Sequence, residues 1–369
     1  MKNVLYLVLF TFLFSSCSTS KKLSFLVGTY TDNNTQGINY IDFNAKTNKI
    51  ILNSIIPEIN NPSFVIANKA KSIVVSVEET HSKTGGKVTS FVFDAKLKSF
   101  KRVNTVATLG DDPCYVSFSP DEKYIVVGNY SGGNYSVFPI DTSGKIGDKI
   151  QLVKHEGKSA NKDRQRRPHV HSVVFHPKEN ILFIADLGND TVEVVPFNSN
   201  GDSFLETENS FSYHAIPGSG PRHIVFDKSG ENMFITFELT NEVGIAKYKN
   251  NKLELLQSIL LTDTPTKTGS AAELRLSDDG NFLYASVRGN DNILVVLQKR
   301  EDGNWEKIQT VSTDLSPRNF ILANDEETVL VANQDSNSIW VFNRDKKTGL
   351  LTKISTNFSI NKPVYFCPF

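Results

Sequence analysis

The chain has 369 residues, with 40 basic side chains against 40 acidic ones, and 39% of its residues are hydrophobic, 25 of them phenylalanine. Zero net charge excludes the basic footprint by which proteins capture nucleic acid or an anionic surface. The length would hold two ordinary domains, yet an all-β ring uses it as one.

The N-terminus reads apart from the rest. Lys2 precedes an apolar run from Val4 to Phe14 that meets Ser15, Ser16 and Cys17. The run is too short to cross a bilayer and has the form of a secretory signal. Ser15-Ser16-Cys17 resembles a bacterial lipobox, with Phe14 where leucine is commoner. That resemblance implies a signal peptide over residues 1–17, lipidation of Cys17, a tether over 18–22 and one domain over 23–369. The protein would be exported to the cell envelope and touch membrane only through its anchor.

From there one pattern recurs seven times. An apolar-alternating strand, usually opened by proline, starts at Pro62, Pro113, Val170, Pro221, Ala271, Pro317 and Pro363. The third strand of each unit, an alternating stretch entered through Gly or Asn turns, recurs at 37–43, 87–94, 134–141, 191–198, 242–249, 292–299 and 338–345. An outer strand follows each, irregular only in SFLETENSFSYHA. No useful helical periodicity appears. The last copy ends at Phe369, and its missing strands sit at the N-terminus from Leu23. The pattern therefore predicts an all-β, seven-bladed β-propeller of four-stranded blades, closed by pairing of the two termini. Neither Trp305 nor Trp340 is followed by Asp, which argues against a WD40 ring. Cys114 and Cys367 fall in non-neighbouring blades and read as buried thiols, not a disulfide. No Cys/His spacing of the metal-binding kind occurs, and no cofactor is expected.

In such a ring the start of each first strand and the end of each second strand share a rim. First-strand positions give Ser63, Cys114, His171, Arg222, Ala272, Arg318 and Val364; second-strand ends give Glu79, Asn129, Tyr130, Asp186, Glu238, Arg288, Asn333 and Gln334. Arginines, a histidine and carboxylates at one depth are material for an anion-binding pocket. The longest interval carries KHEGKSANKDRQRRPHVH, whose Lys162, Arg164, Arg166 and Arg167 form either a solvated loop or a basic lid; His169 reads as a supporting residue.

LVGTYT, PCYVSFSPDEKYIVVGNYSGGNYSVFPID, RRPHVHSVVFHP, GPRHIVFDKSG with FELTNEV, AAELRLSDDGNFLYASVRGND and SPRNFILAN resemble, in order, the seven-bladed lactonase family of bacterial propeller-type 6-phosphogluconolactonases and fungal carboxymuconate cycloisomerases. The resemblance covers about Phe25 to Phe369 and implies His171, Arg222, Glu238 and Arg288 as catalytic residues. Glu79, Asn129, Tyr130, Asp186 and Arg318 would bind substrate. Val287 replaces the family's usual Asn before Arg288, and SVEE replaces VNE at Glu79. The implied activity is hydrolysis of a sugar lactone, with a small anionic lactone or carboxylate as partner. Cycloisomerisation of an unsaturated dicarboxylate, and a non-catalytic envelope propeller binding glycan or protein, remain open. So does the choice of His171 or Glu238 as general base.

Overall fold

A computed structural model describes residues 22–31, 37–83, 85–201 and 203–369; the signal run, Cys17 and residues 18–21 lie outside the described residues. The described chain forms seven four-stranded antiparallel sheets. Blade 1 joins the termini: Pro363–Pro368 is its inner strand, followed outward by Lys22–Thr29, Ile38–Asn44 and Lys49–Ile56. Phe25 pairs with Pro368 and Thr29 with Pro363, so the ring closes as the repeat requires. Phe366 and Phe25 meet edge to face at 6.2 Å, amid Val27, Phe43, Leu330 and Ala332. Blades 2 to 7 begin with Val65–Ala67, Pro113–Phe118, Val170–Phe175, Pro221–Phe226, Ala271–Leu276 and Pro317–Ala323. The irregular outer segment of blade 4 holds a 3₁₀ turn, Thr207–Asn209, before the edge strand Phe211–His214.

Turn residues do two jobs in blades 4 to 7. The residue before each third strand is Asp190, Asn241, Asn292 or Asn337, all at positive φ, where Asn and Asp are tolerated best. Each side chain also accepts a backbone N–H at the entrance to the next blade: Gly220 (2.6 Å), Ala271 (2.9 Å), Ser316 (2.7 Å) and Lys362 (2.9 Å) respectively. Blades 4 to 7 are thus each latched to the next blade at the rim that carries the polar side chains. Apolar faces of adjacent blades pack between them, as Phe183, Val194, Ile224, Ile235, Phe237 and Tyr248 do between blades 4 and 5.

Candidate active site

The first strands of blades 3 to 7 each carry a register shift at this rim, leaving Cys114, His171, Arg222 with His223, Ala272 with Glu273, and Arg318 as the displaced residues. A bulge bends the strand and re-aims the extra side chain. Here Cys114, His171, Arg222, His223 and Arg318 line the channel. The second strands end at Thr29, Glu78, Asn129, Asp186, Phe237, Val287 and Asn333. The next residue in blades 1, 2, 3, 5 and 6 is Tyr30, Glu79, Tyr130, Glu238 or Arg288, and all five line one cavity of about 210 Å³ with Cys114, Arg164, His171 and Arg318. Arg222 lies just below, beside Ser63, His223 and Val364.

Glu238 is the hub. Its Oε2 accepts from Arg222 Nε at 2.8 Å and faces Arg288 at 3.2 Å, and its Oε1 accepts from Arg164 at 2.8 Å. Burial alone would raise its pKa, but Arg288, Arg222 and Arg164 together hold it at about 2. Arg222, 2% exposed, also donates to the Ala272 carbonyl at 2.8 Å. Arg288 donates from Nε to the Ser270 carbonyl at 3.0 Å; burial pushes its guanidinium down to about 9 even beside Glu238. That cation is under-compensated and suited to a further anion.

Opposite stands Glu79, which accepts from the Tyr30 hydroxyl at 2.8 Å and from Ser63. Burial raises its pKa against the pull of Arg318. The Arg318 guanidinium lies over the Tyr30 ring at 5.3 Å and makes no ion pair among the described residues. The His171 ring lines the same cavity, edge-on to Tyr130 at 5.5 Å and to His223 at 5.3 Å. Burial, then Arg222, His223 and Arg318, hold its pKa well below 6.5, so the imidazole is neutral. Its Nδ1 lies 3.9 Å from the Cys114 sulfur, whose thiol burial also keeps protonated. With three arginines in its lining and Arg222 just below, against two carboxylates, the cavity favours an anion.

The segment 154–169, termed the lid for its position, contributes Arg164 to the cavity. His155 binds Asp186 at 2.7 Å and Glu193 at 2.9 Å, and the buried Gln165 donates to the Leu187 carbonyl at 2.8 Å. From this frame Arg164 reaches in to the Tyr130 hydroxyl at 3.0 Å and to Glu238. Lys162, Arg166 and Arg167 stay exposed. His169 stacks on Tyr130 at 4.3 Å. Of the five residues expected to bind substrate, two lie elsewhere, as do the rim positions Ala272, Asn333 and Gln334. Asn129 donates to Asn134 at 2.6 Å, and Asp186 accepts the backbone N–H groups of His169, Gly188 and Asn189 as well as bonding His155. Tyr30 escaped sequence reasoning because its blade is split between the termini, although the second-strand register applied there points to it. Arg164 was visible only as one charge in a basic loop.

The family described as Lactonase, 7-bladed beta-propeller matches residues 24–368. A curated 6-phosphogluconolactonase of Formosa agariphila is 31% identical over 339 residues, spanning 91% of this chain and 96% of the relative. A crystal structure from Bacteroides fragilis carrying a 6-phosphogluconolactonase assignment superposes with a TM-score of 0.87 at 33% identity, covering 96% of this chain and 99% of that one. The periplasmic gluconolactonase of Pseudomonas aeruginosa does so with a TM-score of 0.86 at 30% identity, covering 94% and 98%. The chain belongs to the seven-bladed β-propeller lactonase family.

Proposed function

We propose that this protein is a lactonase that opens a sugar lactone to the aldonic acid in the arginine-lined cavity. The observation that carries the reading is a neutral His171 flanked by cations that no carboxylate fully offsets. Water adds to the lactone carbonyl carbon while His171 takes its proton. Arg288 and Arg318 receive the developing oxyanion, since guanidinium groups pair with such charge strongly in a buried site. The arginines that depress the His171 pKa are themselves offset by that oxyanion, so its basicity rises as the proton arrives. Collapse breaks the bond from carbonyl carbon to ring oxygen, and His171 returns the proton to that oxygen. The product hydroxy acid then ionises. Glu238 is fully charged but a weak base at a pKa of about 2, so its role is to position Arg222, Arg288 and Arg164.

Export as a Cys17-anchored lipoprotein fits this reading, because the similar Pseudomonas aeruginosa protein is periplasmic. Lys22 begins the strand that ends at Thr29 on the cavity rim, about 23 Å away at strand rise. An anchor through Cys17 would leave the mouth facing away from the bilayer. The test is turnover of glucono-1,5-lactone and 6-phosphoglucono-1,5-lactone by the protein and by His171→Ala. General base catalysis contributes about 10²–10⁴-fold, and a loss of that order is expected. Unchanged turnover in the variant removes His171 from the chemistry.

A further inference from the structure

Beside the inner cavity lies a larger one of about 630 Å³, lined among others by Ala160, Arg164, Pro217, Leu239, Thr240 and Thr268. Arg164 lines both, so the inner cavity of about 210 Å³ and the outer groove adjoin at its side chain. One wall is the lid. The other is the segment carrying Thr266, Lys267 and Thr268, tied to the lid by the Asn161 amide donating to the Lys267 carbonyl at 3.0 Å. That segment is pressed onto the catalytic blade: Gly269 donates to the Leu239 carbonyl at 2.9 Å, and a Cβ on Gly269 would meet the Glu238 carbonyl at 2.6 Å. The groove is therefore fixed against the same backbone that positions Glu238.

Its chemistry differs from that of the inner cavity. Arg222, Arg288 and Arg318 are gathered inside, whereas the outer walls are Ala160, Pro217, Leu239 and three threonines. Lys162 and Lys267 are exposed, with the exposed acid Asp163 beside Lys162. The Thr240 hydroxyl is buried in the wall with no hydrogen-bond partner among the described residues, and the Thr266 and Thr268 hydroxyls lie 3.3 Å apart. Apolar patches interleaved with hydroxyls match the C–H faces and hydroxyls of a sugar ring. They do not form a cage for phosphate, which demands convergent cationic donors.

We propose that the outer groove is a second subsite that takes a neutral glycosyl unit, so that the preferred substrate is a glycosyl-substituted aldonolactone. The lactone ring lies within, the second sugar lies outside, and Arg164 stands at the junction. This rests on the lactonase reading of the inner cavity.

The test compares kcat/KM of the full chain for maltobiono-1,5-lactone, glucono-1,5-lactone and 6-phosphoglucono-1,5-lactone. The disaccharide lactone is expected to exceed glucono-1,5-lactone by about tenfold or more, a typical return on one added set of pocket contacts. Thr268→Trp and, from the opposite wall, Ala160→Trp should each remove that preference while leaving glucono-1,5-lactone within about twofold. Equal rates for the disaccharide and monosaccharide lactones, a preference that survives both tryptophans, or a tenfold preference for the phosphorylated lactone would each overturn the subsite while leaving the inner cavity a lactonase site. If the unaltered protein turns over none of the three, the lactonase reading itself fails, and the subsite with it.

Discussion

Glu238 and His171 share a cavity but should respond differently to substitution. Glu238→Gln removes the one charge that offsets Arg222, Arg288 and Arg164 together. Breaking a buried pair costs about 3–5 kcal/mol, so this variant should lose stability in denaturant as well as activity. His171→Ala should lose turnover with a much smaller change in the denaturation midpoint, because its ring holds no ion pair among the described residues. Equal destabilisation by the two would show that His171 is a structural residue. The pH profile follows from the same fields. His171 titrates well below 6.5, so kcat/KM should stay flat through pH 6.5 and fall only at clearly lower pH. Glu238 has a folded pKa of about 2 against an ordinary value of 4.5, so its stabilisation is full above about 4.5 and is lost as pH falls through about 2.

At the scale of elements, the lid depends on His155. Burial opposes its charge, yet the bonds to Asp186 and Glu193 outweigh that and raise its pKa to about 9. Because the folded value lies above the ordinary 6.5, the stabilisation is full below about 6.5 and is lost as pH rises through about 9. His155→Ala should therefore speed tryptic cleavage after the exposed Lys162 and Arg166 several-fold at pH 7, and raise KM as Arg164 loosens. Unaltered cleavage and KM would mean the lid is held by Gln165 and Asn161 without the histidine. Strand register also decides how much of the site could be read from sequence. Alternation and turn residues placed the inner strands well enough to select His171, Arg222, Glu238, Arg288, Arg318, Glu79 and Tyr130. They could not tell the last residue of a strand from the next one. Asn129 and Asp186 end their strands and point into turns, whereas Tyr130, one position on, reaches the cavity. Loop contacts such as Arg164 to Glu238 depend on how a 16-residue segment from 154 to 169 is latched to its neighbours, and no local pattern encodes that.

For the whole molecule, closure is what brings Tyr30 and Glu79 opposite Glu238 and Arg288. The count of repeats made this legible, since an incomplete seventh unit at one end and its complement at the other admit a ring most simply. The pairing of Phe25 with Pro368 and the burial of Phe366 carry it. Deleting residues 363–369 would bare the edge of Lys22–Thr29, an apolar strand, and should give an aggregating, inactive protein; a soluble, active truncation would show that the ring does not need its seam. The most direct measurement of the central claim is a crystal structure of the protein soaked with gluconate, the product of glucono-1,5-lactone. The carboxylate should lie within hydrogen-bond distance of Arg288 or Arg318 and beside His171. Gluconate bound only at another surface, with this cavity unfilled at saturating concentration, would contradict it.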